Sequence, residues 1–439
     1  MPEDDLQSKI YGFIPKIVEI EYLNSPKPQI EQKGSVADRE IVDWSDLRSD
    51  GPVFIRQPFV DFTDQKLYIL IDKIKFGFAQ ESVYKEFYRY IHDLVSYNNM
   101  QEKVSADYMR EKILLWIVDV HIKGKVTEPL FVYISRLVEK DVNNYTYYFP
   151  ILNIEVDEEF SIGKSKITFF TKQYLEDFYN KELSQVREEY DKLFGDFKGK
   201  ALVAVNVNAE KKLAQELAFR NASYAVDVLK LTGPTVIIPS EKCYIELESK
   251  MPFSYHYLSF KDNDISQFSY HEGVNREHHL RYTSEMIGNW HEIFNSLGSL
   301  NEKQDELSIL VANSVKFFSK CLSEEDLHLR ISQLVMIIEG IFLKDSERKD
   351  IVIKCKTRFL QFLFGPNEIN KENFKQVLNN MYDIRHKMTH KSKRLFIDNA
   401  ELARFQLEIV HVLLQLSKQS KINFQKENFL NFLYESATK

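Results

Sequence analysis

The sequence predicts an α+β protein in two parts: a mixed α/β region over residues 1–275 and an all-α helical bundle over residues 276–439. Three observations carry the prediction. Before residue 275, short β-branched and aromatic runs are broken by turn residues, as strands are, with a few helical stretches between them. After it, apolar residues recur three and four apart almost without interruption, the period of helices that bury one face. The charge also changes sign. From Asn301 onward 22 Lys and Arg stand against 18 Asp and Glu, which leaves 36 against 47 in the first 300 residues.

Taken in order, residues 1 to 50 are polar and contain Pro26-Lys27-Pro28, so they predict little structure beyond a strand at Ile17–Tyr22. Val53–Ile55, Lys66–Asp72 and Ile74–Phe78 read as strands. Glu81–Tyr97 reads as a helix on Val83, Phe87, Tyr90, Ile91 and Leu94. Tyr108–Val120 fits a helix or a buried strand. Leu130–Leu137, Tyr145–Glu155, Ile162–Phe170 and Ala201–Val207 read as strands, with a helix at Gln173–Phe194 and an internal break near 175–200. Ala209–Leu231 is a long amphipathic helix stopped by Gly233-Pro234. Two strands follow at Thr235–Pro239 and Cys243–Leu247, then loops over 250–275.

The C-terminal helices are expected at His278–Leu297, Glu302–Cys321, a third capped by Ser323 with Asp326, and Ser346–Phe364, stopped at Gly365-Pro366. A fifth starts at Lys371 with Phe374, Val377, Leu378, Met381, Ile384 and Met388 as its apolar stripe. The last is capped by Asp398 with Glu401 three residues on, and buries Leu402, Phe405, Ile409, Val412, Leu413 and Leu416. Short links between such helices favour an antiparallel bundle.

Composition narrows the function classes. With 44% hydrophobic and 28% charged residues, the chain has the balance of a soluble globular protein, and no run approaches the ~20 apolar residues that span a bilayer. The acidic start MPEDDLQSKI carries no signal-peptide pattern, so a cytoplasmic protein with no membrane partner is expected. Cys243, Cys321 and Cys355 are too scattered for a disulfide framework or a zinc site and are expected as small buried apolar residues. His271, Glu272, Glu277, His278 and His279 do not match an ordered zinc spacing. No phosphate-binding glycine loop, dinucleotide fingerprint or nucleophile elbow occurs. Neither metal nor cofactor is expected.

The stretch with the most chemistry is Met381–His390, at the end of the fifth C-terminal helix. Arg385 can grip a phosphate through two parallel hydrogen bonds. His390, with an ordinary pKa near ~6.5, can move protons at neutral pH. Such a pair meets the needs of RNA cleavage by the substrate's own 2′-hydroxyl: proton transfer at an oxygen and charge stabilisation at phosphorus. On an ideal helix the two stand about 140° apart in azimuth, which argues against a shared face unless the helix distorts or ends. His386 and His390, four apart, share one. From Arg385 to Arg394 the chain holds five Lys or Arg and no acid, with Lys387, Lys391, Lys393 and Arg394 available to track a phosphate backbone. A solvated basic helix end would show the same spacing, and the spacing by itself does not separate the two readings.

The wider context resembles HEPN-domain ribonucleases. Arg385-His386-x-x-x-His390 resembles their R-x4-6-H signature, with a polar residue just after the arginine. The segments RISQLVMIIEGIFL, KCKTRFLQFLFG and LNNMYDIRHKMTH look like the ApeA-like branch over about Leu322–Leu416. The resemblance implies an all-α HEPN bundle that dimerises, so that two motifs face each other in one composite site. It also implies metal-independent cleavage to a 2′,3′-cyclic phosphate and a 5′-hydroxyl, with Arg385 and His390 as the catalytic pair assisted by His386. Many such proteins act in bacterial antiphage defence by halting growth. ApeA-like members often carry a glycine after the motif histidine; here Lys391 stands there. Residues 1–275 show no such resemblance and are expected to sense a phage-derived or other trigger.

Two acids near the motif have assigned readings. Glu339, in an otherwise apolar run, is expected to orient Arg385 or else to pair with Arg358 or another base. Asp383 is expected at the surface, with orientation of a motif residue as its other role. Tyr382 is expected in packing or, as a lesser reading, stacked on a base. The competing function is a HEPN-like module that binds RNA or a partner without cutting; a third is a dimerising scaffold or antitoxin.

Overall fold

The computed structural model describes residues 3–20, 68–71, 74–78, 80–124, 128–169, 199–241, 245–248, 257–261, 264–269, 280–303, 305–419 and 425–437. The chain is an α+β protein. It divides into two compact units, residues 1–143 with 209–213, and residues 144–208 with 214–439. The expected boundary at 275/276 therefore falls inside the second unit. The strand at Val53–Ile55, the helix at Gln173–Phe194 and the histidines at 271, 278 and 279 lie outside the described residues.

In the first unit, helix α1 (Glu3–Phe13) precedes β1 (Ile17–Ile20), and β2 (Tyr68–Ile71) and β3 (Ile74–Phe78) complete a small antiparallel sheet ordered β1-β3-β2. The polar N-terminus gave no expectation of α1, yet Leu6, Ile10 and Phe13 are buried at helical spacing. Helices α2 (Glu81–Ser96) and α3 (Ala106–Ile117) follow, α3 capped by Ser105 Oγ on the Tyr108 N–H at 3.1 Å. Leu130–Leu137 was expected as a strand and is part of α4 (Leu130–Asp141), because Leu130, Tyr133 and Ile134 bury one helical face. Phe76, Phe78, Phe87, Ile91, Ile113 and Trp116 form the core.

The second unit begins with β4 (Asn143–Leu152), β5 (Ile154–Val156), β6 (Phe160–Ile162), β7 (Ser165–Phe169) and β8 (Ala201–Ala209). All of these but β5, together with β9 (Glu246–Leu247), β10 (Tyr257–Lys261) and β11 (Asp264–Ser269), make a sheet ordered β11-β10-β4-β8-β7-β6, β9 pairing on β4. The 250–275 stretch, expected as loop, thus contributes a hairpin. Thr235–Pro239, expected as a strand, overlaps a 3-10 turn at Pro234–Val236 that starts with the fixed φ of proline. The single strand expected at Ile162–Phe170 is instead β7 with the end of β6, joined by a turn in which Gly163 has φ +59°.

Gly163 is also a contact point. A Cβ there would clash with the carbonyl of Gly298, and a Cβ on Gly298 would clash with the backbone of residues 162 and 163. Both the positive φ and the close approach require glycine. Gly163→Ala is expected to destabilise the second unit by about 2 kcal/mol or more, seen as a lower urea or thermal midpoint. An unchanged midpoint would show that the turn relaxes away.

Helices complete this unit: α5 (Lys211–Lys230), α6 (Ser284–Gly298), α7 (Glu306–Leu322), α8 (Leu327–Phe342), α9 (Ile351–Phe364), α10 (Glu368–Lys391), α11 (Asn399–Gln419) and α12 (Lys426–Ala437). The helical region does not begin at 276. β12 (Leu280–Tyr282) first pairs in parallel with β5, and Thr283 Oγ1 then caps α6 at the Met286 N–H. Caps expected at Asp326 and Asp398 are present: Asp326 accepts from the His328 N–H at 3.0 Å and Asp398 from the Ala400 N–H at 2.8 Å. Buried polar bonds tie α5 to the bundle: Tyr224 Oη donates to the Leu297 carbonyl at 2.9 Å, and Ser319 Oγ to Asp227 at 2.7 Å. Cys321 and Cys355 are buried; Cys243 lies outside the described residues. No described helix is long and apolar enough to cross a membrane.

Candidate active site

Helix α10 carries the motif. Asn367 Oδ1 starts it by accepting from the Asn370 N–H at 3.1 Å. Phe374, Val377, Leu378, Met381, Tyr382 and Ile384 are buried and fix its rotation against the bundle. The helix runs unbroken through Arg385 and His390 to Lys391. It closes with Ser392 in the left-handed conformation at φ 48°, and the Lys393 N–H reaches back to the Lys387 carbonyl at 3.1 Å. This is the closure that glycine usually makes; here a serine one residue beyond Lys391 makes it.

Despite their azimuth, Arg385 and His390 line one groove. It has a volume of about 720 Å³ and is also bordered by Glu339, Lys356, Asn379, Tyr382, Asp383, His386 and Thr389. The helix supplies a continuous arc rather than one ridge. At about 100° per residue, counting from Arg385, Thr389 lies at about 40°, Tyr382 at about 60°, His386 at about 100° and His390 at about 140°. A wide groove spans that arc, which the two-residue argument overlooks. The rings of His386 and His390 are 4.9 Å apart between centroids.

Glu339 comes from α8, and its carboxylate accepts a hydrogen bond from Arg385 Nη1. It is this pair that forms, rather than the alternative with Arg358. Arg358 is buried, holds Glu347 through both terminal nitrogens at 2.7 and 2.8 Å, and donates to the Phe342 carbonyl at 2.9 Å. Its guanidinium holds the Glu347 carboxyl at about 2. The two arginines therefore divide the work. Arg358 locks the end of α8 to α9, while Glu339 fixes the plane of Arg385 and occupies one of its five N–H donors.

The remaining candidates spread over the end of α10. Asp383 is exposed and accepts from Lys387 Nζ at 2.7 Å, a bond that lowers the Asp383 pKa. Arg394 bonds Asp326 at 2.5 Å, and His328 Nε2 lies 2.9 Å from the Leu395 carbonyl, so the segment after α10 is tied to the start of α8. Lys391 and Lys393 are exposed. Tyr382 is a packing residue: its ring is buried, Lys356 Nζ sits 4.8 Å from the ring centroid, and burial raises the hydroxyl's pKa. Burial likewise pushes the neighbouring Cys355 thiol up to about 12.

Lys356, Asn379 and Thr389 reach the groove without having been singled out from the sequence. Thr389 lies four residues past Arg385, which helical spacing does show. Lys356 belongs to α9, and no pattern within its own helix reveals that it faces α10. No family model, no curated protein and no solved structure matches this chain.

Proposed function

We propose that this protein is a metal-independent endoribonuclease of the HEPN type. One observation carries the reading: Arg385, His386 and His390 line a single groove, with Arg385 braced by Glu339 from a neighbouring helix. In the reaction the substrate's 2′-oxygen bonds to phosphorus and the bond from phosphorus to the 5′-oxygen breaks. His390 takes the 2′-hydroxyl proton or delivers one to the leaving oxygen, and His386 assists from 4.9 Å away. Arg385 neutralises the charge that builds on the phosphoryl oxygens. Exposed Lys391 and Lys393 track the flanking backbone, with Lys387 and Arg394 beside them. A second copy presenting its own motif completes the site, the N-terminal region answers a phage-derived or other trigger, and the outcome is growth arrest in antiphage defence.

The test is incubation of the full chain with total RNA in EDTA across pH 5–9. Cleavage that persists in the chelator and changes near neutrality supports the reading; strict Mg²⁺ dependence overturns it. The Arg385–Glu339 pair also favours a second reading, because it neutralises part of the guanidinium's charge. On that reading the chain binds RNA or a partner and does not cut, and binding without product, with or without a candidate trigger, would select it.

A further inference from the structure

Lys356 borders the groove without a carboxylate in direct contact among the described residues, Asp383 acting on it only from a distance. Its Nζ is 2.7 Å from the amide oxygen of Asn379 and 4.8 Å from the Tyr382 ring centroid. Both partners are neutral. The two acids bordering the groove are already engaged, Glu339 by Arg385 and Asp383 by Lys387. Among the described residues, no carboxylate lies within ion-pair distance of Lys356.

The ammonium is also placed apart from the guanidinium. Asn379, which anchors it, lies six residues before Arg385 in α10, about 9 Å of helix rise. The first turn of α9, at Ile351 and Val352, borders the same groove and brings the positive end of that helix's dipole to it. A volume of about 720 Å³ is ample for a ligand larger than one phosphate group.

We infer that Lys356, oriented by Asn379 and Tyr382, binds a second phosphodiester of the RNA, next to the one held by Arg385. The ligand class is thus an oligoribonucleotide engaged at two successive phosphates. This rests on the ribonuclease reading for its substrate, but the site itself is a phosphate-binding subsite and can be measured without cleavage. Burial lowers the Lys356 pKa against the opposing pull of Asp383, and an anion placed against the ammonium would favour its charged form.

The test has two arms, both with the full chain. In the first, Lys356→Gln is placed on the His390→Ala background, and binding to a mixed-sequence oligoribonucleotide is measured against salt. The affinity should fall about tenfold, and the slope of log K against log[salt] should shrink by about 0.7 to 1, one phosphate contact. Lys356→Arg should restore most of both. In the second arm, Lys356→Gln alone is compared on the oligoribonucleotide and on a dinucleoside monophosphate, which has only one phosphodiester. The ratio of kcat/KM between them should fall about tenfold, mainly through KM. Unchanged affinity and slope in the first arm would overturn the inference, whether or not the protein cuts RNA. An equal loss on both substrates would overturn it too, by making Lys356 part of the scissile-phosphate site. Absence of any cleavage by the wild-type chain would count against the ribonuclease reading alone and leave the first arm to decide the subsite.

Discussion

If the site is the proposed ribonuclease centre, Arg385→Ala and His390→Ala are each expected to lower RNA cleavage by about a thousandfold, the scale of removing a charge stabiliser or a general acid–base from a working site. The two variants should differ in stability. His390 is exposed near the end of α10, so its loss shifts unfolding by no more than about 0.5 kcal/mol. Arg385→Ala strips Glu339 of its partner, but that pair is partly exposed, with the arginine side chain at 29% and the carboxylate at 17%, so the cost is only about 1 kcal/mol. Arg385→Lys sharpens the comparison. It keeps a positive charge for Glu339 yet loses the planar fork that holds a phosphate by two bonds, so stability returns while cleavage stays low. Full activity in Arg385→Lys would show that charge alone suffices. Cleavage assays and unfolding curves on the same preparations measure both quantities.

Arg358→Ala is expected to destabilise the second unit by about 2–3 kcal/mol, less than the loss of a partner from a fully buried pair because Glu347 is only half-buried. Glu347, left behind, keeps the Lys344 backbone N–H at 2.9 Å and Lys354 at 3.7 Å, while the Phe342 carbonyl loses a donor. The same pair predicts a pH effect. The Glu347 carboxyl falls from its ordinary 4.5 to about 2 in the folded chain. A depressed carboxyl contributes stability that is fully present above pH 4.5 and lost as the pH falls through about 2. Arg358→Met should therefore remove part of the acid sensitivity over that window, measured as unfolding midpoint against pH. A variant that keeps the whole sensitivity would place its origin in other carboxylates.

The helical bundle was the most legible part of the sequence. The apolar stripe read for α10 names Phe374, Val377, Leu378, Met381 and Ile384, all of which are buried, and Met388, which is only half-buried where the helix nears its end. Caps at Asp326 and Asp398 were readable from residue type because a carboxylate there answers N–H groups the helix leaves open. The sheet was less so. Leu130–Leu137 is β-branched and aromatic enough for a strand, and only the i, i+3, i+4 burial of Leu130, Tyr133 and Ile134 shows a helix. The turn at Gly163 was hidden because a two-residue reversal leaves the alternation on either side intact.

At the candidate site, sequence spacing identified the motif and offered Glu339 as a partner for Arg385. It did not offer Lys356, whose place depends on how α9 packs on α10. Nor did it show that one groove reaches both Arg385 and His390. That follows from the width of the groove and the residues lying between the two in azimuth, which pairwise spacing does not carry.

The central claim is that this site cuts RNA by attack of the substrate's own 2′-hydroxyl. The most direct measurement uses two matched RNAs in EDTA, one with a single 2′-deoxy substitution at the nucleotide before the mapped cut. The account predicts a 2′,3′-cyclic phosphate and a 5′-hydroxyl from the unmodified strand, and no cut at that position in the substituted one. Cleavage of the substituted strand at the same bond would contradict it.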